Sequence, residues 1–494
     1  MTPGIAIALL PFLILFGAPI LLLLLIALKR SYSAVGGVSL LILVGAFVSI
    51  FPASRAAPRP IPPLLVLDGF TYFFLGLVVA AGFVIGLLSL EYFRRLDETR
   101  EEFFVLFLLA ILGAAVLVAS RHLVSFFLGL EILSVSLYAL MAYPRSRAQA
   151  VEAGLKYLVL AAVSVAFLLF GFALLYAVSG TMDFAALASL LGSGRTAGPL
   201  GLAAMALIIV GVGFKLALVP FHMWTPDIYQ GSPAPVTAFV ASISKGAMFA
   251  LLLRFFALSG GLGSPSLRLV FSLVAGASMF AGNLLALRQE NVKRLLAYSS
   301  IAHLGYLLVA FLASGPLGFE AAGFYLAAYF VTIIGAFGVV ILLSPTDRDA
   351  DRLEDYAGLF WRRPAMALVF TAMLLSLAGI PLTAGFVGKF YLVAAGAGSR
   401  LWALVVILIV NSVLSLYYYL RVIVSLYSRP PAEPVPARPA ASGRRFVLAG
   451  GLALAFLIIA LVWLGLLPMG LIETIRNSVL AFVRGALSSG AAVL

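Results

Sequence analysis

Fourteen stretches of about twenty mostly apolar residues follow one another along this chain, and that repetition decides most of what it can fold into. They lie near 4–28, 35–51, 64–90, 102–120, 122–142, 150–178, 199–221, 233–258, 267–287, 292–313, 318–343, 364–392, 400–427 and 446–467. A hydrocarbon core about 30 Å thick is crossed by about 20 helical residues. Inside it a helix satisfies every backbone polar group without help from water. The reading is therefore an all-α polytopic membrane protein of about 14 transmembrane helices. The loops leave no room for a sizeable soluble domain. A last segment, 470–487, carries Arg476 and Arg484 among apolar residues and reads as an interfacial helix. The Pro-rich stretch 429–445 reads as a linker. The first run has no cationic start, is too long for a signal peptide and is followed by Lys29 and Arg30, so it reads as the first span.

Composition agrees. Of 494 residues 63% are hydrophobic and 10% charged, against about 25% charged in soluble domains. A soluble enzyme and a disordered chain are both excluded. The absence of cysteine removes disulfides, thiolate zinc sites, iron–sulfur clusters and c-type haem attachment from this chain. The net charge of +13 would suggest nucleic acid in a soluble protein. Here most of it goes to topology. With the N-terminus outside, inside loops hold 19 Lys and Arg, outside loops hold 8, and five lie within spans. That bias supports the span count and an N-out orientation, and it needs no nucleic-acid partner.

Only six of the 32 cations are lysines, and four of those six fall within spans. Arginine stays protonated almost anywhere, whereas a lysine taken out of water can lose its proton near neutral pH. Buried lysines are what a proton relay needs. Glu131 is the clearest deep carboxylate, half-way along the fifth run, where a charge costs about 2.5–3.5 kcal/mol on insertion scales. Lys215 precedes Pro220 and follows Gly211 and Gly213, so its helix should break beside it. Lys245 lies twelve residues past Pro233, about 18 Å along a helix and too deep to snorkel. Lys389 follows Gly379, Pro381, Gly385 and Gly388, a second interrupted span 174 residues after Lys215. A pair of interrupted spans in matching positions points to an inverted-repeat transporter core. The repeats would be helices 4–8 and 9–13. This divides the chain into residues 1–98, three N-terminal helices; 99–262 and 263–428, the two five-helix repeats; and 429–494, the Pro-rich loop, helix 14 and the tail.

Weaker candidates are Lys156, four residues after Glu152 and able to pair with it; Lys293, beside Arg294 at a span start; His222, just past Pro220; and His303, mid-span. His122 at a helix start reads as structural. Each of these has an ordinary reading as well, anchoring or packing. No two histidines are spaced on one helix to ligate a haem or metal, and no P-loop or dinucleotide fingerprint is present. The energy source must lie outside this chain.

Three segments carry a family resemblance. They are VPFHMWTPDIYQGSPAPVTAF (219–239), NLLALRQENVKRLLAYSSIAHLGY (283–306) and PLTAGFVGKF (381–390), with VEAGLKY (151–157) in support. Across roughly 65–427 the chain resembles the antiporter-like membrane subunits of respiratory complex I. The resemblance implies a bacterial inner-membrane protein whose partners are other membrane-arm subunits and the lipid bilayer. It implies no cofactor on this chain, with NADH, FMN, iron–sulfur clusters and quinone in partner subunits. It implies that Glu131 pairs with Lys215, that Lys245 is the central relay residue and Lys389 the terminal one, and that Lys156, His222, Lys293 and His303 have lesser roles. Protons would pass between these groups through internal waters. A multisubunit cation/proton antiporter would use the same relay, driven by an ion gradient. A purely structural scaffold is the reading from a different class; four titratable residues along one path at membrane depth argue against it.

Overall fold

The computed structural model describes residues 3–57, 59–95, 100–192, 198–313, 315–429 and 444–488. Thirteen helices among them are long and apolar enough to cross a membrane. In chain order the helices are α1 (Pro3–Leu28), α2 (Tyr32–Arg55), α3 (Gly69–Arg94), α4 (Glu102–Ala119), α5 (Leu123–Met141), α6 (Ala148–Ser179), α7 (Phe184–Gly192), α8 (Pro199–Leu216), α9 (Trp224–Gly231) and α10 (Ala234–Phe239). A π-helical turn, Val240–Ser244, joins α10 to α11 (Lys245–Ser259). Then come α12 (Pro265–Ala286), α13 (Val292–Ala313), α14 (Gly315–Leu343), α15 (Leu359–Arg362), α16 (Pro364–Ala378), α17 (Ala384–Gly398), α18 (Trp402–Tyr427), α19 (Arg444–Leu466) and α20 (Met469–Ser488). The expected run 364–392 is the fourteenth crossing, split into α16 and α17. Most of the Pro-rich linker 429–445 lies outside the described residues.

Both expected breaks are present. Helix α8 stops at Leu216, and Ala217 turns left-handed at φ 59°. Pro220 has no N–H to continue the ladder, and α9 restarts at Trp224. Helix α16 stops at Ala378, where Gly379 has φ 86° and Leu382 φ 70°. Thr383 caps the restart by accepting the Phe386 N–H. Gly379 is required twice over: its φ is left-handed, and a Cβ there would lie 2.8 Å from Lys389 Cδ.

One element was not anticipated. Residues 59–61 and 65–67 form a two-stranded hairpin with Arg59 opposite Leu67. The start of the third apolar run, 64–68, goes to this hairpin because Asp68 caps α3, accepting the Thr71 N–H at 2.8 Å. The prolines at 62 and 63 fit a turn and not a helix. The short helices α7, α9 and α15 were not anticipated either.

The layering places polar residues centrally. The crossing Ala234–Ser259 and α13 are wholly buried along their hydropathic windows, while α1, α2, α6 and α18 bury only about a third to two fifths of theirs. Helices with the most polar side chains are thus surrounded by helices with apolar outer faces, as a membrane requires. Several neighbouring pairs close on glycines. A Cβ on Gly113 of α4 would lie 2.4 Å from Leu133 N of α5, and one on Gly282 of α12 would lie 2.6 Å from Ala302 N of α13. Small residues at such crossings let the backbones touch.

Arg254, the fifth cation within a span, has a structural partner. Its guanidinium grips Asp68 with two bonds of 2.8 and 2.9 Å and Thr71 Oγ1 at 2.9 Å. It lies between the rings of Phe70 and Phe482, at 4.6 and 5.3 Å. Phe482 belongs to α20, which also pairs Arg476 with Glu320 of α14 at 3.0 Å. Breaking one side of a buried pair strands a charge and costs about 3–5 kcal/mol. Asp68→Ala is therefore expected to lower the midpoint of thermal aggregation in detergent sharply. The double variant Asp68→Ala/Arg254→Met should recover most of the loss.

Candidate proton-relay site

Lys215 occupies the last turn of α8, just before the break. Its ammonium donates to Ser134 Oγ of α5 and to Tyr157 OH of α6, both at 2.9 Å, and lies 5.4 Å from the Tyr157 ring centre. Glu131 does not touch it: no ion pair joins them within 4 Å. The expected direct pair is absent; Ser134, one turn along the same helix, accepts a hydrogen bond from Lys215 instead. One carboxylate oxygen of Glu131, Oε1, is buried with no protein partner. Its helix faces outward nearby, with Leu128 and Val135 exposed.

Helix α9 braces the break. Trp224 Nε1 donates at 3.0 Å to the carbonyl of Phe214, which also accepts the Ala217 N–H, and its ring lies 5.1 Å from that of Tyr157. Five residues on, the Tyr229 ring lies 5.3 Å from the Lys245 ammonium. Several polar atoms here have no protein partner though buried: both ring nitrogens of His222, Thr225 Oγ1, Tyr229 OH and Ser232 Oγ. Such groups are the usual seats of internal water.

Lys245 opens α11, directly after the π turn, and is 1% exposed. It donates to Ser300 Oγ at 2.7 Å, and Tyr329 OH donates to the same oxygen at 2.8 Å. His303 is three residues further along α13. Its Nδ1 pairs with Tyr325 OH at 2.6 Å and its Nε2 with Tyr419 OH at 3.3 Å, while the Tyr329 ring packs 5.2 Å away. A cavity between His303, Tyr325, Thr332 and Ser376 offers about 10 Å³ to water centres, room for about one molecule. Another three residues along α13, Tyr306 presents its ring 5.3 Å from the Lys389 ammonium. Lys389, in the second turn of α17, donates to Ala378 O and Ser412 Oγ, both at 2.7 Å. Ala378 O is a carbonyl freed by the break in the α16–α17 crossing. Ser300, His303 and Tyr306 thus line one face of α13 from the second lysine to the third.

Three of the weaker candidates lie apart from that line. Lys156 is 47% exposed and pairs with Glu152 at 2.6 Å and Asp227 at 3.8 Å, beside a polar surface pocket. Lys293 is wholly buried in an ion pair with Asp349 at 2.6 Å. His222 lies in the turn between α8 and α9. His122 caps α5, accepting the Val124 N–H. The sequence reading missed Ser134, Tyr157, Tyr229, Ser300, Tyr306 and Ser412. The three-residue spacing of Ser300, His303 and Tyr306 within 299–306 was available as a signal; the other partners are hydroxyls scattered on distant helices. Among the described residues no group of three or more His, Asp or Glu could hold a metal.

Similarities to known proteins run through the whole chain. Residues 120–415 match the family described as NADH:quinone oxidoreductase/Mrp antiporter, transmembrane. The chain is 46% identical over 483 residues to the NADH-quinone oxidoreductase subunit N of Methylococcus capsulatus, covering 97% of this chain and 96% of that one. It superposes with a TM-score of 0.79 and 36% identity on a chain of respiratory complex I from Thermus thermophilus, solved with bound aureothin, over 94% of this chain and 98% of that one. A chain of an archaeal membrane-bound sulfane sulfur reductase gives 0.81 at 25% identity, over 99% of both chains. A chain of the Mrp complex from Dietzia sp. DQ12-45-1b gives 0.83 at 23% identity over 97% of both, a likeness of fold alone.

Tyr157→Phe removes one of the two hydrogen bonds at the Lys215 ammonium. Bonds to charged groups contribute about 1.5–3 kcal/mol, so a lower thermal midpoint of the purified protein in detergent is expected, with the helix content unchanged by circular dichroism.

Proposed function

The chain belongs to the antiporter-like membrane subunits of the NADH:quinone oxidoreductase/Mrp family, and on that footing we propose that it is a proton-translocating membrane-arm subunit of a bacterial NADH–quinone oxidoreductase. It is a multi-pass protein of the inner membrane and performs no redox chemistry itself. NADH, FMN, iron–sulfur clusters and quinone belong to partner subunits, and neighbouring membrane-arm subunits contact its exposed apolar faces. The N-terminus lies outside, and residues 99–262 and 263–428 act as two inverted repeats. The matching glycine crossings of α4 with α5 and of α12 with α13 support that division.

The observation that carries the relay is the placement of Lys215, Lys245 and Lys389, each buried and each held by neutral groups. A carboxylate brought beside a buried ammonium stabilises the charged form, and its withdrawal favours release of the proton. Glu131 is placed to do this to Lys215 from the outward side of α5. Movement in a neighbouring subunit would shift Glu131 and so gate Lys215. The released proton passes by water seated on the unpartnered groups of the α8–α10 segment to Lys245. From there Ser300, His303 and Tyr306 lead to Lys389. The half-channels to each side open at the two breaks. Lys156, outside this line, acts at the surface. The family also includes Mrp antiporters, but the likeness to one at 23% identity supports fold alone, whereas the identity to subunit N is twice that.

NADH-driven proton uptake by inside-out vesicles tests the reading, with the amount of assembled complex measured on native gels. Lys215→Met, Lys245→Met and Lys389→Met are each expected to cut uptake by about a hundredfold or more, the low end for loss of a proton-transfer group. Lys156→Met should keep most of it. Undiminished uptake in Lys215→Met would overturn the relay. Co-purification with antiporter subunits alone, lacking quinone-site and flavin subunits, would move the assignment to the Mrp branch.

A further inference from the structure

A buried ionic cluster lies outside the relay, where the loop 344–358 folds back on the bundle. Asp349 is its centre. Its Oδ2 accepts from Lys293 Nζ at 2.6 Å. Its Oδ1 accepts from Tyr92 OH of α3 at 2.6 Å and from Arg147, which precedes α6, at 3.3 Å. Arg147 also donates to Tyr92 OH at 2.6 Å and to Thr346 O at 2.7 Å. Arg348 donates to the Asp349 backbone carbonyl and binds Asp355. Burial pushes the Asp349 carboxyl up, but Lys293, Tyr92 and Arg147 together hold it below the usual carboxylate range. The Asp349 carboxylate is therefore ionised at neutral pH, and the stability it contributes is lost as pH falls through that lowered value.

The remaining two hydrogens of the Lys293 ammonium go to the carbonyls of Gln230, at 3.0 Å, and Ser232, at 2.6 Å. These are the carbonyls at the C-terminal end of α9, where helix carbonyls lack intrahelical partners and a cation is favoured. Helix α9 is the strut between the first two relay lysines. Trp224 at its start packs against Tyr157, which holds Lys215, and Tyr229 near its end faces Lys245. Eight residues between a broken span and a sharp turn at Pro233 make a helix too short to hold its place alone.

We propose that Asp349 is a positioning residue for proton translocation: by fixing Lys293 on the end of α9, it sets the register of Tyr157 and Tyr229 against Lys215 and Lys245. The inference rests on the relay reading above, and its test has one arm that does not.

In the assembled complex, amide hydrogen exchange over 224–232 is measured by mass spectrometry alongside NADH-driven proton uptake per assembled complex. Asp349→Asn is expected to speed exchange there by about tenfold, as a locally opened segment does. Exchange in 199–214 should stay unchanged. Uptake should fall by about threefold, within the range of residues that act through a network. Asp349→Glu should recover most of both. Wild-type exchange over 224–232 in Asp349→Asn, or faster exchange with undiminished uptake, overturns the proposal. Where Asp349→Asn assembles poorly, Asp349→Asn/Lys293→Met removes both charges of the most buried pair and leaves Arg147, which is partly exposed, on Tyr92 OH and Thr346 O. A merely structural ion pair predicts full uptake once that double variant assembles, and full uptake would overturn the proposal. Uptake that stays low, with 224–232 still loosened, supports it. Lys215→Met runs in parallel: normal uptake there sinks the relay itself, whatever Asp349 does.

Discussion

The cost of holding a positive charge away from water governs this structure. Among the described residues, five cations, Lys215, Lys245, Arg254, Lys293 and Lys389, are buried, and with Arg147, which is partly buried, they are treated in two ways. Arg254, Lys293 and Arg147 each face a carboxylate, Asp68 or Asp349. Lys215, Lys245 and Lys389 have no anion within 4 Å and are offered hydroxyls, a carbonyl and a tyrosine face instead. A full counter-charge fixes an ion, since removing either partner strands the other. A hydroxyl and a ring face stabilise an ammonium more weakly and tolerate its loss of a proton. The arrangement of the bundle follows from this division. Charged pairs tie helix ends together, α3 to α11 at one place and α3, α6 and α13 to the loop 344–358 at another. Of the weakly held lysines, Lys245 lies on the wholly buried crossing Ala234–Ser259, and Lys215 and Lys389 lie beside the two breaks.

The two breaks do different work within the same plan. Each frees carbonyls at the end of a half-helix, and each has a lysine close by. At the first, the carbonyl of Phe214 goes to the indole of Trp224, which leaves Lys215 to the hydroxyls of neighbouring helices. At the second, Lys389 itself takes the carbonyl of Ala378. Lys215 precedes its break and Lys389 follows its own, so the two are not interchangeable copies.

Much of this was legible in one dimension. Span number, both interruptions and the deep lysines are properties of local runs, and Gly379 and Pro220 announce their breaks by backbone chemistry alone. What was not legible depends on contacts between distant helices. Tyr157, Tyr229 and Tyr306 are unremarkable in a chain where 12% of residues are aromatic; only the fold shows each placed against a lysine. Glu131 and Lys215 were expected to touch because opposite charges in a membrane should pair, yet the ammonium bonds Ser134 and Tyr157 instead. Lys293 beside Arg294 read as an ordinary anchor at a span start. Its burial depends on Asp349, which arrives from a loop 56 residues later.

Counting hydrogens separates the buried lysines further. An ammonium has three donors, and a neutral amine has two and a lone pair. Lys215 and Lys389 each spend two donors on protein groups, and Lys245 spends one. Each can give up a proton and still satisfy every acceptor around it. Lys293 spends three, on Asp349, Gln230 and Ser232. Deprotonation there would break a hydrogen bond and leave a carboxylate facing a neutral amine. The bonding around each ammonium therefore separates lysines with a donor to spare from one whose three donors are all engaged. Under the proposed relay, that difference in donor count would let a chain with only six lysines use them both as relay groups and as a fixed clamp.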